Sequence, residues 1–189
     1  MLILIGGAKG GLGTTTLAQY LCRYAGAVPL DAADGRLAAE TGAPVLDLSA
    51  VPQWTPDRRS RAAEHVIRTR QPLLWTPACR VWEAPVVAFA REVAAVAHVV
   101  ADGGIAPPAA LADLATLILI VSADDPVAHW HEQRLKAQWP QARAVIGDLK
   151  AAAQALAAQT LGIPTRQSLL DKARASLTHR STQDVRGRS

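Results

Sequence analysis

Short apolar runs alternate with longer amphipathic or alanine-rich stretches along most of the chain, and this alternation predicts an α/β fold. Apolar runs of roughly four to eight residues that end in glycine, proline or an acid are typical of strands buried in a sheet. The predicted strands are Leu2–Ile5, Val28–Asp31, Pro44–Leu48, His98–Asp102, Thr116–Val121 and Ala144–Ile146. The predicted helices are Thr15–Tyr24, Val86–Ala97, Pro108–Leu114, Asp125–Trp139 and Leu149–Leu161, with a loop and a helix across Gln53–Arg70. This order indicates three layers, in which a mostly parallel sheet has helices on both faces.

One further strand is predicted at an edge of the sheet. Leu73–Val81 is largely apolar, but Pro72 and Pro77 lack the backbone donors that a central strand needs. The pattern continues to a basic stretch, Leu169–Arg180, which can form a last helix. The sequence therefore predicts a single domain over residues 1–180 and a polar, frayed tail over residues 181–189.

Composition and charge narrow the class of protein. The 189 residues are 50% hydrophobic and 19% charged, which is enough apolar material for one buried core and excludes a disordered chain. The first residues include no basic leader region, and no apolar run reaches the ~18 residues of a membrane span, so we expect a cytoplasmic protein. A net charge of +4 allows non-specific DNA as a partner. The weak apolar face of Leu169–Arg180 makes membrane association a less favoured alternative.

The segment most informative about chemistry follows the first strand and opens the first helix. It consists of Lys9, Gly10, Gly11, Leu12, Gly13, Thr14, Thr15 and Thr16. Glycines let successive backbone N–H groups turn inward, and the helix N-terminus adds partial positive charge, so the segment is suited to binding phosphate. Thr15 stands where a hydroxyl would ligate Mg²⁺, and Thr16 is placed to reach an α-phosphate. A glycine-rich turn without a ligand is the alternative interpretation.

This segment resembles the deviant Walker A box of the ParA/MinD ATPases, whose pattern is KGGxGK[ST]. Lys9, the three glycines and Thr15 match the pattern, whereas Thr14 replaces the second lysine, which holds the β- and γ-phosphates. The resemblance implies a P-loop NTPase-like fold, with ATP and Mg²⁺ as cofactors. It also implies a homodimer in which Lys9 reaches the phosphates of the partner subunit. Because threonine carries no charge, we expect nucleotide binding to survive this replacement better than hydrolysis does.

Acids that follow predicted strands are the next candidates. Asp31 resembles the first acid of the family's D-x-D motif, but the position of the second acid holds Ala33, and the next acid is Asp34. That second acid positions the attacking water in the family. The resemblance therefore makes Asp31, Asp34 and Lys9 the candidate catalytic residues.

The candidate metal-binding residues are Thr15, Asp31 and Asp102, with Asp102 acting through a water molecule in the manner of a Walker B acid. A strand-end aspartate is also a common helix cap or turn former, which is the alternative for Asp102. Capping is the preferred interpretation of Asp124 and Asp125, because they directly precede Pro126 and a predicted helix.

The resemblance also bears on which base is bound. After the next strand the family commonly has an asparagine that recognises the base, whereas this chain has Asp148. Ile163–Arg166 resembles the later segment that passes the base. The sequence leaves the choice of base open.

Within the family, the Lys-Gly-Gly-x-Gly-Thr form and the displaced second acid look most like the TadZ/CpaE branch of pilus-assembly localisation factors. That resemblance implies an ATP-dependent dimer that positions or partitions a cargo, such as DNA or secretion machinery at a cell pole, with weak or absent hydrolysis. The cargo and any partner protein are not identified by the sequence. Two alternatives stay open: a scaffold that has lost its nucleotide, and a small kinase-like enzyme in which Lys136 or Lys150 replaces the missing lysine.

Overall fold

The structure is a computed structural model that describes residues 1–80 and 83–162. Within these residues the strands are β1 (Leu2–Gly7), β2 (Val28–Asp31), β3 (Leu46–Asp47), β4 (Leu73–Leu74), β5 (Val99–Asp102), β6 (Leu117–Val121) and β7 (Arg143–Val145). The α-helices are α1 (Thr14–Ala25), α2 (Arg36–Glu40), α3 (Pro56–Thr69), α4 (Glu83–Val96), α5 (Ala109–Leu114), α6 (Pro126–Gln138) and α7 (Leu149–Leu161). Two short 3₁₀ helices cover Leu48–Gln53 and Pro77–Arg80.

All seven strands belong to one parallel sheet with the order β3-β4-β2-β5-β1-β6-β7. Parallel neighbours must be joined by crossover connections, which place helices on the faces of the sheet. β1 lies inside the sheet, between β5 and β6. The predicted α/β fold, with helices on both faces of a parallel sheet, is confirmed.

β1 is buried on both faces because its side chains alternate between two hydrophobic cores. Leu2 and Leu4 belong to one core, together with Phe89 of α4. Ile3 belongs to the core on the opposite face, together with Leu17 of α1. Each fully buried side chain of this size contributes about 1.5–3 kcal/mol through removal of apolar surface from water. The segment that follows β1 therefore starts from a rigidly held strand.

The prediction of an edge strand over Leu73–Val81 is wrong in both length and position. β4 contains only two residues and is an interior strand, because β3 pairs with its outer side. β4 ends at Leu74, and a 3₁₀ helix begins at Pro77, within the predicted strand. The predicted strand Pro44–Leu48 is shortened for a similar reason. Asp47 accepts a hydrogen bond from Ser49 N–H (2.8 Å) and begins the other 3₁₀ helix.

Several sequence predictions fall outside the described residues. They are the end of the predicted strand at Val81, the base-proximal segment Ile163–Arg166, the helix Leu169–Arg180 and the tail over residues 181–189. The domain boundary at residue 180 therefore stays a prediction. Among the helices of residues 1–80 and 83–162, none is long and apolar enough to cross a membrane.

Candidate functional site

The glycine-rich loop lies at the carboxyl end of β1. Gly7 N–H donates to the carbonyl of Gly104 (2.7 Å), which follows β5, and Ala8 N–H donates to the carbonyl of Val121 (2.9 Å) at the end of β6. These two bonds tie the start of the loop to both neighbouring strands. The carboxyl edge of an open parallel sheet is where such folds bind their ligands.

Two glycines determine the course of the loop. Gly11 and Gly13 have φ of 78° and 91°, in the left-handed region, which costs other residues roughly 1–2 kcal/mol. A Cβ at Gly13 would also lie 2.7 Å from Leu149 Cδ1, so this glycine lets α7 approach the loop. Gly13 is the N-cap of α1 and offers no side-chain cap to the first N–H groups of the helix. An anion is the natural partner for such groups.

A hydroxyl of α1 and a carboxylate of β5 meet next to the loop. Thr15 Oγ1 donates to Asp102 Oδ2 at 2.6 Å, and Gly104 N–H donates to Asp102 Oδ1 at 3.1 Å. Burial raises the pKa of Asp102, which is 0% exposed; the hydrogen bonds from Thr15 and Gly104 act in the opposite direction, and the nearby Asp31 carboxylate adds a smaller upward shift. The structure thus brings together two of the three predicted metal-binding residues.

The third, Asp31, lies beside Asp102 in the register of β2 and β5. Its carboxylate already accepts hydrogen bonds from three backbone N–H groups. Oδ1 accepts hydrogen bonds from Ala33 N–H (3.0 Å) and Gly35 N–H (3.1 Å), and Oδ2 accepts one from Ala38 N–H (3.1 Å). The side chain is fully buried. These bonds hold the loop between β2 and α2 in place. The catalytic and metal-binding roles given to Asp31 stay predictions, whereas the geometry shows an anchor for this loop.

A cavity of about 650 Å³ adjoins the glycine-rich loop, a volume within the usual ~300–1,000 Å³ range of small-molecule sites. Lining residues that the sequence predicts to be functional are Lys9, Gly10, Gly11, Gly13, Thr14, Thr15, Thr16 and Asp34. Leu12 instead packs against both hydrophobic cores. The remaining wall comes from the loops after β2 and β5 and from α2. The predicted nucleotide-binding segment therefore faces a space of suitable size.

Lys9 lies at the rim of this cavity in an ion pair. Its Nζ is 2.6 Å from Asp125 Oδ2, and the two side chains are 39% and 31% exposed. The hydrogen bond from Lys9, followed by that from Ala128 N–H, lowers the pKa of Asp125. Asp125 also caps α6 by accepting a hydrogen bond from Ala128 N–H at 2.9 Å. Capping is confirmed for Asp125, and its pairing with Lys9 is an arrangement that the sequence does not predict.

Thr14 occupies the position of the missing lysine and brings no charge to the cavity. A Cβ built on Gly7 would meet Thr14 Cγ2 at 2.9 Å, so the threonine packs against the start of the loop. Lys9 is therefore the one basic residue of the segment from Lys9 to Thr16.

The other charged candidates lie elsewhere. Asp148 caps α7 by accepting hydrogen bonds from the N–H groups of Lys150 (2.9 Å) and Ala151 (3.1 Å). Lys136 donates to the buried Glu132 at 2.7 Å. Neither Lys136 nor Lys150 is among the described residues that line the cavity. The structure therefore does not bring either lysine to the site.

The residues present fit a magnesium nucleotide. Mg²⁺ is commonly held by one or two protein oxygens together with substrate phosphates and water, and Thr15 and Asp102 supply such oxygens. Within residues 1–80 and 83–162, no three or more His, Cys, Asp or Glu side chains are grouped to hold a metal. The uncapped N-terminus of α1 supplies the N–H groups that phosphate oxygens need.

Comparison with known proteins supports the fold. No profile of a known protein family matches the sequence, and no curated protein matches it. Among solved structures, a ParA family ATPase from Chlorobium tepidum TLS superposes with a TM-score of 0.53 and 14% sequence identity, over 77% of this chain and 73% of that chain. The chain has a ParA-like fold. At this identity, activity has to be argued from the site itself.

The sequence patterns do not single out Arg36 and Glu40, which also line the cavity. Both belong to α2, a helix of five residues that is too short to show a 3.6-residue hydrophobic period. The available sequence signal was Asp34-Gly35-Arg36, a turn-forming pair followed by a basic residue. In the structure Gly35 has a φ of 86° and is the N-cap of α2.

Proposed function

We propose that this protein is a nucleotide-binding switch that takes up Mg-ATP and dimerises in response. The observation that carries the proposal is the contact between Thr15 and Asp102 next to an uncapped helix N-terminus. A glycine-rich turn without a ligand needs no hydroxyl–carboxylate pair at this place. In the bound form, the N–H groups of α1 bind the phosphates, while Thr15 and Asp102 hold Mg²⁺ directly or through water.

Hydrolysis is proposed to be weak or absent. Thr14 removes the lysine charge that would stabilise the transferring phosphoryl group, and loss of one such stabilising group typically costs about 3–4 kcal/mol of transition-state stabilisation. Ala33 replaces the acid that would position water, and Asp34 lines the cavity one residue later. Ground-state binding relies mainly on backbone N–H groups and the metal, so it depends less on the missing lysine.

Dimerisation is supported by the surface around Lys9. The lysine is partly exposed at the rim and is available to a second subunit once its pair with Asp125 opens. Ile105, which a Cβ on Gly10 would contact at 3.6 Å, is 52% exposed, and Val127, two residues after Asp125, is 57% exposed. Exposed apolar side chains beside a charged rim are favourable in a protein–protein contact.

The cellular role is proposed from the sequence form of the loop together with this fold. The ParA-like architecture supports a protein that positions or partitions a cargo in the cytoplasm, and the Lys-Gly-Gly-x-Gly-Thr form supports the TadZ/CpaE branch. DNA contact through the excess of basic residues is a secondary element of this proposal. Salt dependence of DNA binding is its test.

The dimerisation proposal is tested by measuring molar mass with light scattering in the presence of Mg-ATP, Mg-ADP or no nucleotide. We expect the mass to double with Mg-ATP only, and Lys9→Ala to abolish the increase. Lys150→Ala is the matched control, because Lys150 is an exposed lysine outside the cavity lining. A Lys9→Ala protein that still dimerises with Mg-ATP contradicts the role given to Lys9.

A scaffold without nucleotide is the second candidate function. It is favoured by Thr14 in place of the second lysine and by Ala33 in place of the second acid. Such a scaffold would show the same mass with and without nucleotide. The kinase-like alternative has less support, since neither Lys136 nor Lys150 is among the described cavity residues.

A further inference from the structure

The cavity contains one cation that the phosphate loop does not supply. Among the described lining residues, Lys9 and Arg36 are the basic side chains, and Asp34 and Glu40 are the acidic ones. A polyphosphate that binds in this cavity brings several negative charges, and Thr14 does not balance any of them. Electrostatic balance therefore depends on Lys9, on Arg36, on the metal and on the helix N-terminus.

Lys9 and Arg36 differ in how they are held. Lys9 is paired with Asp125 at 2.6 Å, a contact between two partly buried side chains at the rim. Arg36 is paired with Asp34 through Nε at 3.1 Å, and these side chains are 75% and 55% exposed. An ion pair so open to water holds its partners weakly, because solvent screens the attraction. The guanidinium of Arg36 is therefore free to exchange Asp34 for a phosphate group.

The backbone beneath Arg36 is held firmly, in contrast to its side chain. Asp31 fixes the preceding loop and the first turn of α2 through three backbone N–H groups. Arg36 N–H also donates to Asp34 Oδ1 at 3.2 Å. A rigid backbone that carries a long, loosely paired arginine at a cavity wall is suited to capturing an anion without rearranging the loop.

We propose that Arg36 supplies the phosphate-binding cation that Thr14 lacks. This inference rests on the proposed nucleotide binding and assigns to α2 the charge that the phosphate loop has lost. The planar guanidinium can donate two parallel hydrogen bonds to phosphate oxygens. A lysine ammonium attracts phosphate as a compact point charge and lacks this paired geometry. When Arg36 turns to phosphate, Asp34 loses its cation and is left facing the cavity. Nucleotide binding thereby breaks the ion pair between Arg36 and Asp34.

The test is a calorimetric titration of Mg-ATP into the wild-type protein, Arg36→Gln, Arg36→Lys and Arg91→Gln. Arg91 is the matched control, because it is an exposed arginine on α4 that does not line the cavity. We expect Arg36→Gln to weaken binding about tenfold to a hundredfold, as loss of a charge-assisted hydrogen bond does. Arg36→Lys should recover part of the affinity, and Arg91→Gln should bind as the wild type does. Equal melting temperatures of the variants check that the folds are intact.

A second comparison tests whether Arg36 supplies the phosphate-binding charge of the missing lysine. In a Thr14→Lys background the loop carries its own cation, so Arg36→Gln should then weaken binding much less than it does in the wild type. A loss of the same size in both backgrounds overturns the replacement role. Wild-type affinity in Arg36→Gln overturns the inference while nucleotide binding stands. Absence of Mg-ATP binding by the wild type overturns both proposals.

Discussion

Asp31→Asn is the substitution that best separates an anchor from a metal ligand. It changes one atom of a fully buried carboxylate that accepts hydrogen bonds from three backbone N–H groups. The asparagine keeps one acceptor oxygen, which can serve Ala33 and Gly35. Its NH₂ group then faces the N–H of Ala38, so that two donors meet where one bond existed.

The expected destabilisation follows from these contacts. An unsatisfied buried donor costs about 1–3 kcal/mol, and the two remaining hydrogen bonds weaken because their acceptor is no longer charged. Removing the charge also relieves repulsion with Asp102, which offsets part of the loss. We expect the free energy of unfolding to fall by about 2–4 kcal/mol, a large part of the ~5–15 kcal/mol of a typical domain.

Urea unfolding at neutral pH without nucleotide measures this change. Asp34→Asn is the matched control, because Asp34 is exposed and should change stability by no more than about 0.5 kcal/mol. A metal ligand that does not anchor the loop would give a different result: Asp31→Asn would leave unfolding almost unchanged and abolish the Mg²⁺ dependence of nucleotide binding. That pattern would refute the anchor argument.

Four further substitutions test other parts of the site. Because the pKa of Asp102 is raised by burial, the folded protein holds this proton more tightly than the unfolded chain does, so the free energy of unfolding falls as pH rises above the ordinary carboxyl range. Asp102→Asn should remove the contribution of Asp102 to this fall, as measured by urea unfolding at a series of pH values. If the free energy of unfolding changes with pH as in the wild type, the raised pKa of Asp102 is contradicted. Gly11→Ala and Gly13→Ala both place alanine at positive φ, at a cost of about 1–2 kcal/mol. Gly13→Ala should cost roughly 1 kcal/mol more, because its Cβ would lie 2.7 Å from Leu149 Cδ1 of α7, while a Cβ at Gly11 has no neighbour within 4 Å. Equal unfolding midpoints for the two variants would show that α7 shifts to make room. Asp125→Asn keeps a good helix cap but releases Lys9, so the Mg-ATP dimer should form at lower protein concentration by light scattering. A weaker dimer would mean that Asp125 itself supports the interface.

Periodicity was sufficient to predict the layers of the fold. Thr116–Val121 and Leu2–Ile5 are apolar on both faces, and both are central strands of the sheet. The start of α1 followed from three glycines and a run of threonines. Thr15 was a candidate metal ligand from its position in the loop, and Asp102 from its position after a strand. Their 2.6 Å contact lies at the edge of the sheet where the carboxyl ends of parallel strands meet.

Other features depend on contacts that a linear pattern does not contain. β3 and β4 have two residues each, which is too short to show an alternation of apolar and polar residues. The sequence therefore does not indicate which of the two is the edge strand. Asp125 looks like a cap in the sequence and is one, but its pairing with Lys9 joins residues 116 positions apart. Arg36 lies on a single-turn helix whose position is set by the buried carboxylate of Asp31. Such tertiary pairings are visible only once the sheet has brought the loops together.

The central claim is that the loop binds a magnesium nucleotide without its lysine. Calorimetric titration of the protein with Mg-ATP and with Mg-ADP, beside Thr15→Ala, tests it most directly. We predict micromolar binding of Mg-ATP by the wild type and a marked loss in Thr15→Ala, because its hydroxyl is the proposed metal ligand next to Asp102. Absence of heat with either nucleotide at millimolar concentration would contradict the claim, and the ParA-like fold would then serve as a scaffold that acts through its surface.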